Sequence, residues 1–315
     1  MIAFFQSAIR LSAAFLFGAT GETISEKSGH LNLGTPGVMC MGAVGGVMGI
    51  AGYTSHRGTD SSTFMIILVG LLSCIIFGTI AGLIYSFLTV SLRANQNITG
   101  LALTTFGIGF SKYYIQEVKL DYLNFASKSF KNLFSFHSKL GWFGELFLSY
   151  GFMVYLAIIV AVVTAQVLRK TKVGLKLCAV GENPATADAS GINVKLYRYL
   201  ATIIGCSVSS LGGLFYIMDY LSGNWEYAID AIGWLAVALV IFTVWRTDLA
   251  ILGSVIFAGL FIASSYLNVP LNVKEIVKMF PYVVTIIILI VTSIFGGKLV
   301  QPPMSLGLNY FREER

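Results

Sequence analysis

Charge is what this sequence has least of. Only 11% of its 315 residues are Asp, Glu, Lys or Arg, against about 25% in an average soluble domain. Histidine is scarcer still, and His30, His56 and His137 all fall outside the apolar runs. No HExxH pattern occurs, which argues against a zinc hydrolase. Cys40, Cys74, Cys178 and Cys206 make no CxxC or Cys/His spacing. They support neither a metal site nor a disulfide framework and read as small buried residues. The phosphate-binding pattern G-x-x-x-x-G-K-[ST] is also missing, since Gly297-Lys298 is followed by Leu299. The expectation is a chain without its own ATP site, without a cofactor and without catalytic residues. With no histidine placed to activate them, Ser207, Ser209 and Ser210 are expected to bond to backbone carbonyls within helices.

What is abundant is apolar surface. Fifty-six per cent of residues are hydrophobic, gathered in runs at about residues 2–19, 38–53, 64–90, 98–110, 146–168, 200–218, 232–245, 249–267 and 281–295. Several approach the roughly 20 residues that a bilayer-spanning helix needs. The predicted fold class is all-α: a polytopic membrane protein in the lipid bilayer with about 8–10 transmembrane helices, some broken or re-entrant. The short runs 38–53 and 98–110 are the candidates for interruption. Residues 2–19 have one base, Arg10, and no cleavage pattern, and read as a retained span. Glycines at four-residue spacing, as Gly42/Gly46 and Gly78/Gly82, suit close approach of helix backbones.

The net charge of +6 lies between the runs, not on one face, so it speaks for orientation and not for nucleic acid. Residues 169–198 hold Arg169, Lys170, Lys172, Lys176, Lys195 and Arg198 against Glu182 and Asp188, whereas 219–230 hold only acids. The positive-inside bias makes the first loop cytoplasmic and the second external. One permease-like domain over 1–315 then has a cytoplasmic loop at 169–198, an external loop at 111–145 and a cytoplasmic tail at 298–315. The external loop interleaves lysines with Tyr113, Tyr114, Tyr122, Phe125, Phe130, Phe134, Phe136, Trp142 and Phe143. Such a mixture suits an interfacial anchor or a docking surface for an external protein.

Three polar segments stand out. Residues 21–37, GETISEKSGHLNLGTPG, separate two apolar runs. They predict a break in helical backbone, of the kind by which transporters present polar groups to a solute. Glu22, Ser28 and Asn32 are candidates for lining a translocation path, and Glu26 is expected to have a structural role with Lys27. Residues 92–103, LRANQNITGLAL, put Asn95, Gln96, Asn97 and Thr99 at the mouth of an apolar run. These neutral groups either line the path, bonding hydroxyls without the cost of burying a charge, or cap the next helix. In GENPATADASGI, residues 181–192, Asn183 suits an N-cap, Pro184 the first helical position and Gly191 a left-handed end. A short rigid helix is thereby written into the basic loop.

These segments carry a resemblance. Glu26, Ser28, Gly29, Asn32, Leu33 and Gly34 resemble the opening signature of permease subunits of ABC importers for nucleosides and simple sugars, related to branched-chain amino acid permeases. Residues 92–103 resemble one of the two permease types in paired nucleoside importers. Gly181, Asn183, Pro184, Ala187, Gly191 and Ile192 resemble that family's coupling segment, and Asp188 within it is a further candidate for coupling to an ATPase. The resemblance implies four partners: a cytoplasmic ABC ATPase, a second homologous permease subunit, an external solute-binding protein and a small-molecule solute. It also implies residence in a bacterial inner (cytoplasmic) membrane. Where the family continues with a glutamate, this chain has Pro36 in Thr35-Pro36-Gly37. Pro36 removes an anionic group and is expected to bend the backbone, leaving a nucleoside, riboflavin or a simple sugar as solute. An ion-coupled carrier working without an ATPase is the alternative. It would normally need acids or histidines within the spans, and here they cluster at loops.

Overall fold

The computed structural model describes residues 2–57, 61–131, 141–267, 270–295 and 301–311. His137, Phe134, Phe136 and Gly297-Lys298 lie outside the described residues. Within them every long element is a helix: α1 (Ile2–Lys27), α2 (Thr35–Arg57), α3 (Thr63–Ser86), α4 (Gln96–Tyr114), α5 (Leu120–Lys131), α6 (Gly141–Phe147), α7 (Phe152–Lys170), α8 (Lys172–Glu182), α9 (Pro184–Ala189), α10 (Val194–Phe215), α11 (Ile229–Phe242), α12 (Thr247–Tyr266), α13 (Leu271–Lys278) and α14 (Phe280–Phe295). Six among the described residues are long and apolar enough to cross a membrane: α1, α2, α3 and α10 with their extensions, α7 and α12. The shorter or more polar α4, α11 and α14 pack against them.

Helices α1, α2 and α10 form the centre, and α3, α4, α7, α11 and α12 surround them. The rim is apolar on both sides, as lipid demands. On α3, Phe64, Leu72 and Ile76 face outward while Cys74, Gly78 and Ala81 are buried. The central contacts are made at glycines. A Cβ added to Gly42 or Gly78 would collide with Ser210, so α2 and α3 both close on one residue of α10. Ser210 bonds within its helix, to the Ser207 carbonyl at 2.8 Å, and also across to the Cys74 carbonyl at 3.2 Å, while Ser209 bonds across to the Gly18 carbonyl at 3.2 Å. The cysteines are free, and three of them are buried.

Three expectations need correction. Residues 21–37 are not a long non-helical insert, because α1 runs unbroken through Glu22 and Glu26 and only 28–34 separate it from α2. Both carboxylates are met by donors from outside α1, which lets the helix bury them. The runs 38–53 and 98–110 lie inside continuous helices, and the irregular turns fall elsewhere. α3 and α10 end in π-helical turns, Phe87–Ser91 and Tyr216–Tyr220. Pro36 makes no bend, since it occupies the first turn of α2, where its missing amide is harmless, and packs against Gly233 of α11.

The chain threads with its basic loop, α8 and α9, at one end. The segments 115–131, 141–151 and 221–228 gather at the other. At that second end Arg10 binds Asp219 at 2.8 Å, with the carboxylate fully buried. Asp219 is thus not a free loop acid, but the pairing partner that an arginine near the membrane requires. Lys131 donates to Ser222, and burial pushes that amine down from its usual range. In the 111–145 loop, Leu123, Ala126 and Phe130 of α5 are fully buried, while Tyr113 and Trp142 stay exposed. One face of α5 is core.

Candidate functional site

The basic end holds two adjoining arrangements. The first is the short helix α9. The Asn183 side chain accepts from the Thr186 amide at 3.0 Å, and Pro184 opens the helix. It closes with Gly191 at φ +81°, the Ile192 amide on the Ala187 carbonyl (3.0 Å) and the Gly191 amide on the Asp188 carbonyl (2.9 Å). That pair of bonds is a Schellman end. Ala187 alone is buried, against Val180 and Val194. α9 is therefore a capped, rooted knob whose Asn183, Thr186 and Ala189 face out. Gly181 lies beneath it, and any side chain there would meet the Lys27 carbonyl.

The second arrangement is a buried polar knot where α1 turns into α2. Glu22 is inaccessible to solvent. It accepts from the Asn32 amide at 3.2 Å and from the Thr35 hydroxyl. Asn32 in turn accepts from the Gly34 amide at 3.0 Å and donates to the Cys206 sulfur at 3.5 Å. Ser28 bonds back to the Ser25 carbonyl at 2.7 Å. Gln96 accepts from the Leu31 amide at 2.9 Å, and the Tyr85 hydroxyl joins both segments by donating to the carbonyls of Leu31 and Gln96. The structure thus joins Glu22 to Asn32 and ties Gln96 to the same turn through the Leu31 amide, with Ser28 at the start of that turn. It separates the rest: Asn95 is an exposed N-cap of α4, accepting from the Ile98 amide at 3.2 Å, and Asn97 is exposed beside it. Thr99 is buried and bonds to the Asn95 carbonyl at 2.8 Å, beside an apolar cavity of about 350 Å³ lined by Tyr85, Leu103 and Phe106.

Several residues of this end escaped sequence reading. The Trp245 indole donates to Glu26, a partner beyond the neighbouring charge of Lys27. Val244 and Trp245 both adopt left-handed backbone, φ 55° and 54°, at the turn between α11 and α12. That conformation costs a β-branched residue roughly 1–3 kcal/mol, so packing must enforce it. His30 is fully buried, with Nε2 at 2.7 Å from the Thr89 hydroxyl. The Thr89 hydroxyl already donates to the Tyr85 carbonyl (2.7 Å), so the His30 proton sits on Nε2. Burial, with Arg198 beside it, pushes the imidazole down to about 3. Arg198 looked like one loop charge among six, yet it is buried in the second turn of α10 and donates to the Leu308 carbonyl at 3.1 Å. The signal was available: Asn193 caps α10 on the Leu196 amide (3.1 Å) and puts Arg198 inside the helix.

Among the described residues no group of His, Cys, Asp or Glu is arranged to hold a metal. Residues 4–289 match the family model described as branched-chain amino acid transport system / permease component. The chain is 31% identical to the nucleoside ABC transporter permease protein NupC of Lactococcus lactis subsp. cremoris, over 96% of this chain and 95% of that one. It is 28% identical to the guanosine ABC transporter permease protein NupQ of Bacillus subtilis, with the same coverage of 96% and 95%. It is also 32% identical to a protein of Haloferax volcanii provisionally named a glucose ABC transporter permease, over 79% of this chain and 73% of that one.

Proposed function

This chain belongs to the permease-component family of branched-chain amino acid transport systems, as a multi-pass membrane subunit of an ABC importer, and from that premise we propose that its solute is nucleoside-like. The full-length similarity to the nucleoside permease of Lactococcus supports that solute class. A simple sugar is the second reading, favoured by the glucose-permease relative. The chain forms half of the path, beside a second homologous permease. A cytoplasmic ATPase supplies energy, an external binding protein delivers solute, and the assembly sits in a bacterial cytoplasmic membrane.

The observation that carries the mechanism is the capped and rooted α9 on the basic end. A helix fixed at both caps transmits a push without unravelling. Closure of the ATPase presses on Asn183, Pro184, Asp188 and Gly191, with Gly181 and Ala187 as the base. The knot of Glu22, Ser28, Asn32 and Gln96 lies against that base, through Gly29 and Gly181. As the α1–α2 turn parts from α4, these neutral and acidic groups exchange their internal bonds for solute, with Asn95, Asn97 and Thr99 at the edge.

Uptake of labelled nucleosides, ribose and riboflavin, with and without this gene, tests the solute. Selective loss of a nucleoside supports the reading; loss of ribose alone moves it to the sugars, and unchanged uptake of all three removes it. Ala187→Pro tests α9, since proline at that site loses an amide bond to Asn183 and disrupts the helix. Solute-stimulated ATPase activity of the assembled importer is expected to vanish while membrane insertion persists. Retained stimulation overturns the coupling role.

A further inference from the structure

Residues 301–311 run back across the end of the molecule that carries α9, and they bond to several separate elements. The Ser305 amide and hydroxyl both donate to the Gly181 carbonyl at the end of α8, at 3.0 and 2.5 Å. The Gly307 amide donates to the Gly29 carbonyl in the α1–α2 turn (3.2 Å). Leu308 takes the Arg198 guanidinium from α10 at 3.1 Å. Asn309 donates to the carbonyls of Arg93 and Ala94, at 2.7 and 3.3 Å, and accepts from Gln96 at 3.2 Å. The Tyr310 hydroxyl donates to Asp188 of α9 at 2.8 Å, and Arg93 stacks over Phe311 at 4.6 Å.

We propose that this segment is a strap that carries the movement of α9 to the polar knot, with Tyr310 and Asn309 as positioning residues. The proposal rests on α9 being the coupling element. Ser305 to Tyr310 is five residues, a reach of at most roughly 17 Å when extended. So short a segment, bonded at both ends, has little slack. Tyr310 holds Asp188 and the adjacent Asn309 holds Gln96, so a pull on Asp188 passes to Gln96 across a single residue step, with Ser305 fixed on Gly181 behind them. Gln96 is also the residue that receives the Leu31 amide. A displacement of α9 therefore reaches the α1–α2 turn and the first turn of α4 by two routes: directly through the Gly29–Gly181 contact, and laterally through the strap.

The test uses the whole importer, purified through this chain and placed in nanodiscs, so that no solute needs to be known. A nitroxide on Thr186→Cys reports α9, and one on Asn97→Cys reports the start of α4; both positions are exposed. ATP is expected to change both spectra in the parent. In Tyr310→Phe, which keeps the ring, and in Asn309→Ala, the change at 186 should persist. The change at 97 should fall roughly threefold or more, as expected when about one hydrogen bond of coupling is removed. An undiminished change at 97 in both variants overturns the strap. So does loss of the ATPase on co-purification, which would make the segment a docking surface instead. No ATP response at 186 in the parent sinks the coupling role of α9 itself, a distinct failure.

Discussion

A histidine shut away from water titrates unlike a free one. Because burial holds His30 down at about 3, the unfolded chain binds a proton below roughly pH 6.5 that the folded chain refuses. Stability therefore falls as pH drops from about 6.5 toward 3, by up to about 1.4 kcal/mol per pH unit from this group. Thermal unfolding in detergent at pH 7 and pH 5 should show a smaller loss for His30→Gln than for the parent; an equal loss refutes the assignment. Glu26 gives a second residue-scale outcome. Trp245→Phe removes the indole donor and leaves the carboxylate buried without it, at a cost of about 1–3 kcal/mol. The same unfolding measurement detects it, and an unchanged midpoint would mean that another donor replaces the indole. Neither His30 nor Trp245 stood out in the sequence. Their partners, Thr89 and Glu26, are 59 and 219 positions away, and no local pattern records such distances.

Helix α9 was legible because capping is local: Asn183, Pro184 and Gly191 write its start and stop within nine residues. The spans were legible for a similar reason, since a helix in lipid must be apolar along its whole length. The polar stretch after residue 20 was read less well. Its glutamates looked like helix breakers only while their donors, Thr35, the Asn32 amide and Trp245, were out of sight. Asn95 is likewise a cap where a path-lining residue was considered, and nothing local separates those roles. Glycine spacing marked close approach without saying where it mattered. Gly52 of α2 has open space around it, whereas Gly42 faces Ser210. Gly52→Ala is thus expected to be neutral or to stabilise by up to about 1 kcal/mol. Gly42→Ala should destabilise by about 1–3 kcal/mol through overpacking. A fluorescence thermal shift on the two variants checks the contrast, and similar shifts would contradict it.

For the whole molecule, α10 separates the basic loop that carries α9 from the stretch that follows Asp219, and the basic end is proposed to be cytoplasmic. Lys195 lies at the basic end beside α9, and Asn224 lies in the segment that follows Asp219 at the other. Both are exposed. In intact cells, a membrane-impermeant maleimide is expected to label Asn224→Cys and to spare Lys195→Cys, which should react only after the membrane is opened. Reversed labelling would invert the topology and remove α9 from the ATPase side.

The meeting of Gly42 and Gly78 at Ser210 limits how such a molecule can move. With only the small Ser210 side chain between α2, α3 and α10 at that point, no lubricating layer exists along which they could slide. They are keyed together, and a shear of one against another would drive the glycine backbones into Ser210. Any large rearrangement is then expected to leave this junction intact and to use the rim, where exposed leucines, isoleucines and phenylalanines can exchange neighbours. The three keyed helices are expected to move as one body.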